Sequence, residues 1–209
     1  MISYLMSVQF ISVSIAVLIL YSYPLIVLLI GIFSGKIQPN FKMLLLFFIV
    51  FTGIGLMLMD GEFELGMWGV ALASLAALGA TYTFIVGEQI APKMNPIMLT
   101  FWVNLVGLIL IIPLVFNQFH LPESAEGFWA LAGATACYIA AIICQFQALS
   151  RITSEKAAFI LNTEPVVSIV LAMLILNESL TTIQWVGVLL VMVVLFLFTL
   201  GVSRDSAEG

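Results

Sequence analysis

One carboxylate in this sequence lies where a carboxylate is expensive. Glu164 falls ten residues into an apolar stretch that begins near Ser154. At about 1.5 Å of rise per residue, it sits about 15 Å deep in a helix long enough to cross a bilayer. It is the sequence's only charged side chain at such depth. An acid there is costly unless it is protonated, paired or facing water. It could take up and release a proton as its exposure changes, or pair with a cationic solute. It could also stay protonated and bonded to a neighbouring carbonyl, with no role beyond structure.

Two prolines flank this chemistry. Pro165 follows Glu164 directly, and Pro24 occupies a similar place in another apolar stretch. Proline has no N–H, so each should leave the carbonyl four residues earlier, at Leu20 or Leu161, without its partner and bend the helix. Freed carbonyls at mid-depth suit ions and polar groups, although a packing kink without a ligand explains the same residues. Further candidates at depth are Asn162, Tyr21, Tyr23, Tyr82, Trp102, Asn104, Tyr138 and Gln145. Tyr138 and Gln145 are seven residues apart and so share a helical face that a cavity could use. Tyrosines and tryptophans near helix ends are more often interfacial anchors. Glu88 reads as a solvated helix terminus near the end of its span.

These residues need a membrane around them. Sixty-three per cent of the chain is hydrophobic and eight per cent is charged, more apolar surface than a water-soluble domain of this length can hide. Seven stretches approach the roughly 20 apolar residues of a span: 12–33, 42–59, 66–88, 96–116, 127–149, 154–176 and 182–202, with residues 1–10 as the tail of an eighth. In lipid each must satisfy its own backbone and is therefore helical. The expected fold is an all-α integral membrane protein, a polytopic helical bundle. Counting alternate sides, Lys36, Lys42, Lys93, Arg151, Lys156 and Arg204 fall on one face, while the other carries Asp60, Glu62, Glu64, Glu123, Glu126 and Glu178. The basic face is cytoplasmic by the positive-inside rule. That places residues 203–209 inside as a tail, and the opening residues carry no signal peptide.

The two proline-bearing stretches are copies. Residues 11–24 align without gaps on residues 152–165, and Ile11, Ala16, Ile19, Leu20 and Pro24 match Ile152, Ala157, Ile160, Leu161 and Pro165 at a constant offset of 141. Repeated hydrophobic segments are a mark of secondary transporters. Five spans per copy, an odd number, would invert the copies relative to each other, with the substrate site between them near the midplane. The second copy is complete over 66–202, whereas 1–59 holds only the latter part of the first. The spacing predicts a ten-span parent that begins about 75 residues upstream, with seven helices present here.

The stretch Ala157-Ala-Phe-Ile-Leu-Asn-Thr-Glu-Pro165, continuing through Asn177-Glu-Ser-Leu-Thr181 to Gly187, resembles the end of an EamA-type repeat of the drug/metabolite transporter superfamily. Glu164-Pro165, Glu178, Leu180, Thr181 and Gly187 fit that pattern. Asn177 stands where the family commonly has Gly, and the first copy fits less well, with Lys36 in place of an acid. The resemblance implies a carrier of small metabolites, amino acids or drugs, often an exporter, in the plasma (bacterial inner) membrane. The family places a glutamate at this position whatever the substrate, which implies a shared mechanical role.

What the spans lack narrows the chemistry. No Lys or Arg lies in the middle of a span, which disfavours strongly anionic solutes; the aromatic residues and one acid suit a neutral, zwitterionic or cationic one. His120, the single histidine, falls in an outer loop, and Cys137 and Cys144 are spaced about 10 Å along one helix, so no metal-site spacing or disulfide is expected. They read as buried thiols. No span carries an Asp, or a Lys in the last helix, against an intramembrane protease or a retinal protein. No catalytic residue, cofactor or metal is expected, and the chain reads as a non-enzyme. Its expected partners are the lipid bilayer, a small-molecule substrate and protons as coupling ion, without nucleic acid. Gly31-Ile-Phe-Ser-Gly35 permits close helix contact, more often within one bundle than in a homodimer, which stays open. Asn177-Glu-Ser179 is a glycosylation sequon expected to be unmodified. A non-transporting receptor or scaffold, or an inactive remnant of a carrier, fits the same residues.

Overall fold

The computed structural model describes residues 2–38, 41–58, 66–115, 122, 124–176 and 181–205. The outer-loop acids Asp60, Glu62, Glu64, Glu123 and Glu178, together with His120 and the sequon at Asn177, lie outside them. The helices run α1 Ile2–Ser7, α2 Val13–Leu20, α3 Tyr23–Phe33, α4 Phe41–Met57, α5 Met67–Ile90, α6 Pro96–Val115, α7 Ala125–Leu149, α8 Ser154–Ile160, α9 Thr163–Leu176 and α10 Thr182–Asp205. A short 3₁₀ turn, Ala91–Lys93, links α5 to α6. The chain is thus an all-α polytopic membrane protein. Four segments among the described residues are long and apolar enough to cross a membrane: Val13–Phe33, Met67–Lys93, Pro96–Pro113 and Ala125–Leu149. Phe41–Met57 and Thr182–Leu197 are apolar but shorter.

Polar residues between spans set the helix ends. The Ser124 side chain accepts from the Gly127 N–H at 3.1 Å to start α7, and Asn95 accepts from the Ile97 N–H at 2.9 Å ahead of Pro96. At the start of α10, Thr181 and Gln184 form a reciprocal capping box: the Thr181 N–H donates to Gln184 Oε1 at 2.8 Å, and the Gln184 N–H to Thr181 Oγ1 at 3.3 Å. Gly35 is the stop of α3. Its φ of 71° lets Lys36 N–H reach the Gly31 carbonyl and Gly35 N–H the Ile32 carbonyl, a Schellman ending. The Gly31–Gly35 pair is therefore a helix terminus, because Gly35 has left the helical conformation that a packing stripe requires.

The chain divides into two compact units: residues to Phe84 with those from Ala158 onward, and Ile85–Ala157. In the first, Leu28, Phe47, Val50, Ile54, Met57, Phe159, Val166, Val188 and Val191 form the core. Among the described residues, α4 packs most extensively on α10. These two helices touch backbone to backbone: a Cβ on Gly187 would lie 2.6 Å from the Gly53 carbonyl oxygen and 2.8 Å from the Met57 nitrogen. Small residues let transmembrane backbones approach this closely. In the same unit the start of α5 lies against the Phe10–Ile11 turn, where a Cβ on Gly66 would meet the Phe10 carbonyl at 2.5 Å.

In the second unit, α6 packs beside α7. The end of α5 fits against the end of α7 at Gly87, where an added Cβ would lie 2.9 Å from Leu149. Glu88 is half-buried and accepts a 2.7 Å hydrogen bond from the buried Ser154 hydroxyl, a more engaged position than a solvated terminus. Cys137 and Cys144 are free but exposed on α7. The expectation of buried thiols is corrected, because the apolar face of α7 that carries them points outward. Such exposed apolar surface, with Trp129 on α7 and Ile109 and Leu110 on α6, suits contact with lipid.

Candidate functional site

The two repeated segments break their helices in the same way. Spans 12–33 and 154–176 are each a pair of helices, interrupted at Tyr21–Ser22 and at Leu161–Asn162. The expected bend at each proline takes the form of a break, and each proline lies in the first turn of the helix that follows. Proline fits there because first-turn N–H groups have no intrahelical acceptor.

Side chains seal both interruptions. Ser22 Oγ donates to the Ile19 carbonyl at 2.6 Å, and Thr163 Oγ1 donates to the Ile160 carbonyl at 2.5 Å. Ser22 and Thr163, like Ile19 and Ile160, are 141 residues apart, so one hydrogen bond recurs at the repeat offset. Backbone bonds also close the breaks, one residue out of the repeat register: Ser22 N–H reaches the Ile19 carbonyl at 3.1 Å, and Asn162 N–H the Phe159 carbonyl at 3.1 Å. The Leu161 carbonyl accepts the Glu164 N–H at 3.0 Å. The free carbonyl expected at Leu161 is thus occupied, since the tighter turn supplies a donor where the proline has none.

Side-chain chemistry gathers at these breaks within the first unit. The Tyr21 hydroxyl stands within hydrogen-bonding reach of the Glu164 carboxylate, and Tyr4 lies close enough to Tyr21 to interact electrostatically. Tyr23 is within electrostatic range of Glu164. Its ring is 6.4 Å from that of Tyr21 and stacks on Phe84 at 5.1 Å. Tyr23 is 6% exposed, whereas Glu164 is open on the surface of its helix. Glu164 falls in the first turn of α9, where unpaired N–H groups favour a carboxylate. Asn162 is 2% exposed, and its amide donates to the Phe159 carbonyl at 3.1 Å.

The other candidates have separate settings. Tyr82, on α5, is 68% exposed. Trp102, Asn104, Tyr138 and Gln145 belong to the second unit. There Trp102 lines an open apolar groove with Asn95, Ile97, Met98 and Phe101, and Asn104 donates to the Thr100 carbonyl of its own helix at 2.9 Å. Tyr138 is exposed and Gln145 half-buried on α7. Sequence reasoning passed over Ser22, Thr163, Phe84 and Tyr4. The first two were visible as hydroxyl residues at the repeat offset beside matched prolines; the latter two carry no signal in sequence.

Residues 67–200 match the family model of the EamA-like transporter family. No curated protein matches the chain.

Proposed function

The chain belongs to the EamA-like transporter family, and we propose that it is a secondary carrier that exports a small neutral, zwitterionic or cationic solute by alternating access. In this reading residues 1–59 belong to one repeat and 66–202 to a second, inverted one, and the broken helices α2–α3 and α8–α9 flank the site. The observation that carries it is the meeting of Tyr21 from one copy with Glu164 from the other. A carboxylate that sequence position places at bilayer depth, exposed on its helix and with a phenol within hydrogen-bonding reach, can trade a proton for a solute cation or for water as its exposure changes. Neighbouring tyrosine faces favour a cationic or amine-bearing solute. Position supports the same role: broken helices in transporters present polar backbone and half-helix ends to substrate at the midplane. The six basic residues on one face support a bacterial inner-membrane location with the C-terminus in the cytoplasm.

Proteoliposomes carrying a trapped pH-sensitive dye test this against a panel of amino acids and small amines. The expected result is solute-dependent proton movement with at least one of them, lost in Glu164→Gln. Solute binding without any flux would make the protein a receptor instead. Equal transport by Glu164→Gln at every pH would remove the proton role.

A further inference from the structure

The repeat offset maps the observed contact onto a second one. Tyr21 corresponds to Asn162, and Tyr23 to Glu164, each pair 141 residues apart. Exchanging the two copies therefore turns the Tyr21–Glu164 contact into one between Asn162 and Tyr23. A structure symmetric between the copies would make both contacts or neither. This one is unequal. Tyr21 reaches Glu164, while the Asn162 amide turns back to the Phe159 carbonyl and the Tyr23 ring stacks on Phe84. Both members of the unmade pair are nonetheless buried, polar and at the same breaks.

We propose that Tyr23 and Asn162 are the second pair of positioning residues of the site, engaging each other in the opposite-facing state as Tyr21 releases Glu164. This rests on the inverted-repeat carrier reading above. An inverted pair of repeats reaches its second state when each copy adopts the conformation the other had. The side chains then exchange roles at matched positions. The exchange is chemically workable. Asn162 offers an amide oxygen to the Tyr23 hydroxyl, and the hydrogen bond made replaces the one broken at Tyr21, so the two states stay close in free energy. Glu164, released from Tyr21, faces the opening side without its phenol donor. There it can exchange its proton or bind solute.

The test uses the full chain in proteoliposomes, with Cys137 and Cys144 changed to Ser and single reporter cysteines at the repeat-related positions Ile26 and Val167. A membrane-impermeant maleimide measures the labelling rate at each reporter. Tyr21→Phe, which weakens the observed pair, should shift the Ile26-to-Val167 ratio at least threefold in one direction. Tyr23→Phe should shift it threefold in the other, and the double variant should return near wild type. Shifts in the same direction, or none in either variant, would overturn the exchange. Only variants that elute as the wild type in size-exclusion chromatography are compared. Because labelling needs no substrate, opposed shifts in a protein that transports nothing would uphold the exchange and overturn the carrier reading. Transport without opposed shifts would overturn the exchange alone.

Discussion

The two broken helices, α2–α3 and α8–α9, share a backbone and differ in chemistry. Each stops after a short first piece, closes the break with a hydroxyl donating three residues back, and restarts with a proline in its first turn. At the breaks themselves, one copy carries Tyr21 and Tyr23 where the other carries Asn162 and Glu164. The broken geometry occurs in both segments, while the carboxylate lies in only one of them. In the carrier proposed above, a break in both halves would bring helix ends to mid-depth. One acid, by contrast, is enough to carry a proton, and a second at the same depth would repel it.

Substitutions can break this comparison in order of expected effect. Glu164→Gln removes the titratable group and should leave transport below about 1% of wild type, while insertion and extraction stay normal. Tyr23→Gln, at the equivalent position, should retain far more. Equal losses would mean that the two copies do not differ in chemistry.

Gly187→Val forces a side chain into the Gly53 carbonyl, where even a Cβ would lie at 2.6 Å. The cost should reach the upper part of the about 1–3 kcal/mol typical of overpacking, read as an earlier thermal unfolding midpoint in detergent. An unchanged midpoint would show that α4 and α10 can separate at no cost.

Pro24→Ala and Pro165→Ala restore an N–H at each break and favour a continuous helix. Both should slow transport by about tenfold, close to 1.4 kcal/mol, if the breaks serve the mechanism equally. A loss confined to Pro165→Ala would tie the break to Glu164 alone.

Ser22→Ala and Thr163→Val delete the repeated hydrogen bond. Each should cost about 0.5–1.5 kcal/mol of stability and by matching amounts, since the geometry matches. A mismatch in thermal shift would mean that one hydroxyl has another partner when the protein works.

Much of this was legible in sequence because membranes simplify the code. Apolar runs predict helices, since a lone segment in lipid must satisfy its own backbone; helices lie in each of the seven stretches, and four segments among the described residues are long and apolar enough to cross a membrane. In sequence the breaks read as bends, because proline's missing donor is visible there, whereas the compensating Ser22 and Thr163 bonds depend on rotamers. The Gly31–Gly35 spacing permits close helix contact on sequence grounds but ends a helix in a Schellman stop, since small-residue spacing cannot tell a helix interior from its end. Type and depth single out Tyr21, Tyr23 and Glu164 in the sequence, but that Tyr21 faces Glu164 across more than a hundred residues follows from packing alone. Phe84 and Tyr4 were invisible for the same reason: an aromatic in an apolar helix carries no label for its neighbour. The exposed Cys137 and Cys144 show the limit of composition, which cannot say whether an apolar residue faces lipid or protein.

The central claim is that Tyr21 and Glu164 act as one unit across the two copies, and a double-mutant cycle on transport rate tests it most directly. Tyr21→Phe alone should slow transport severalfold, Glu164→Gln should nearly abolish it, and the double variant should be no slower than Glu164→Gln by itself. Independent, multiplying losses would contradict the account, because the phenol would then be acting on something other than the carboxylate.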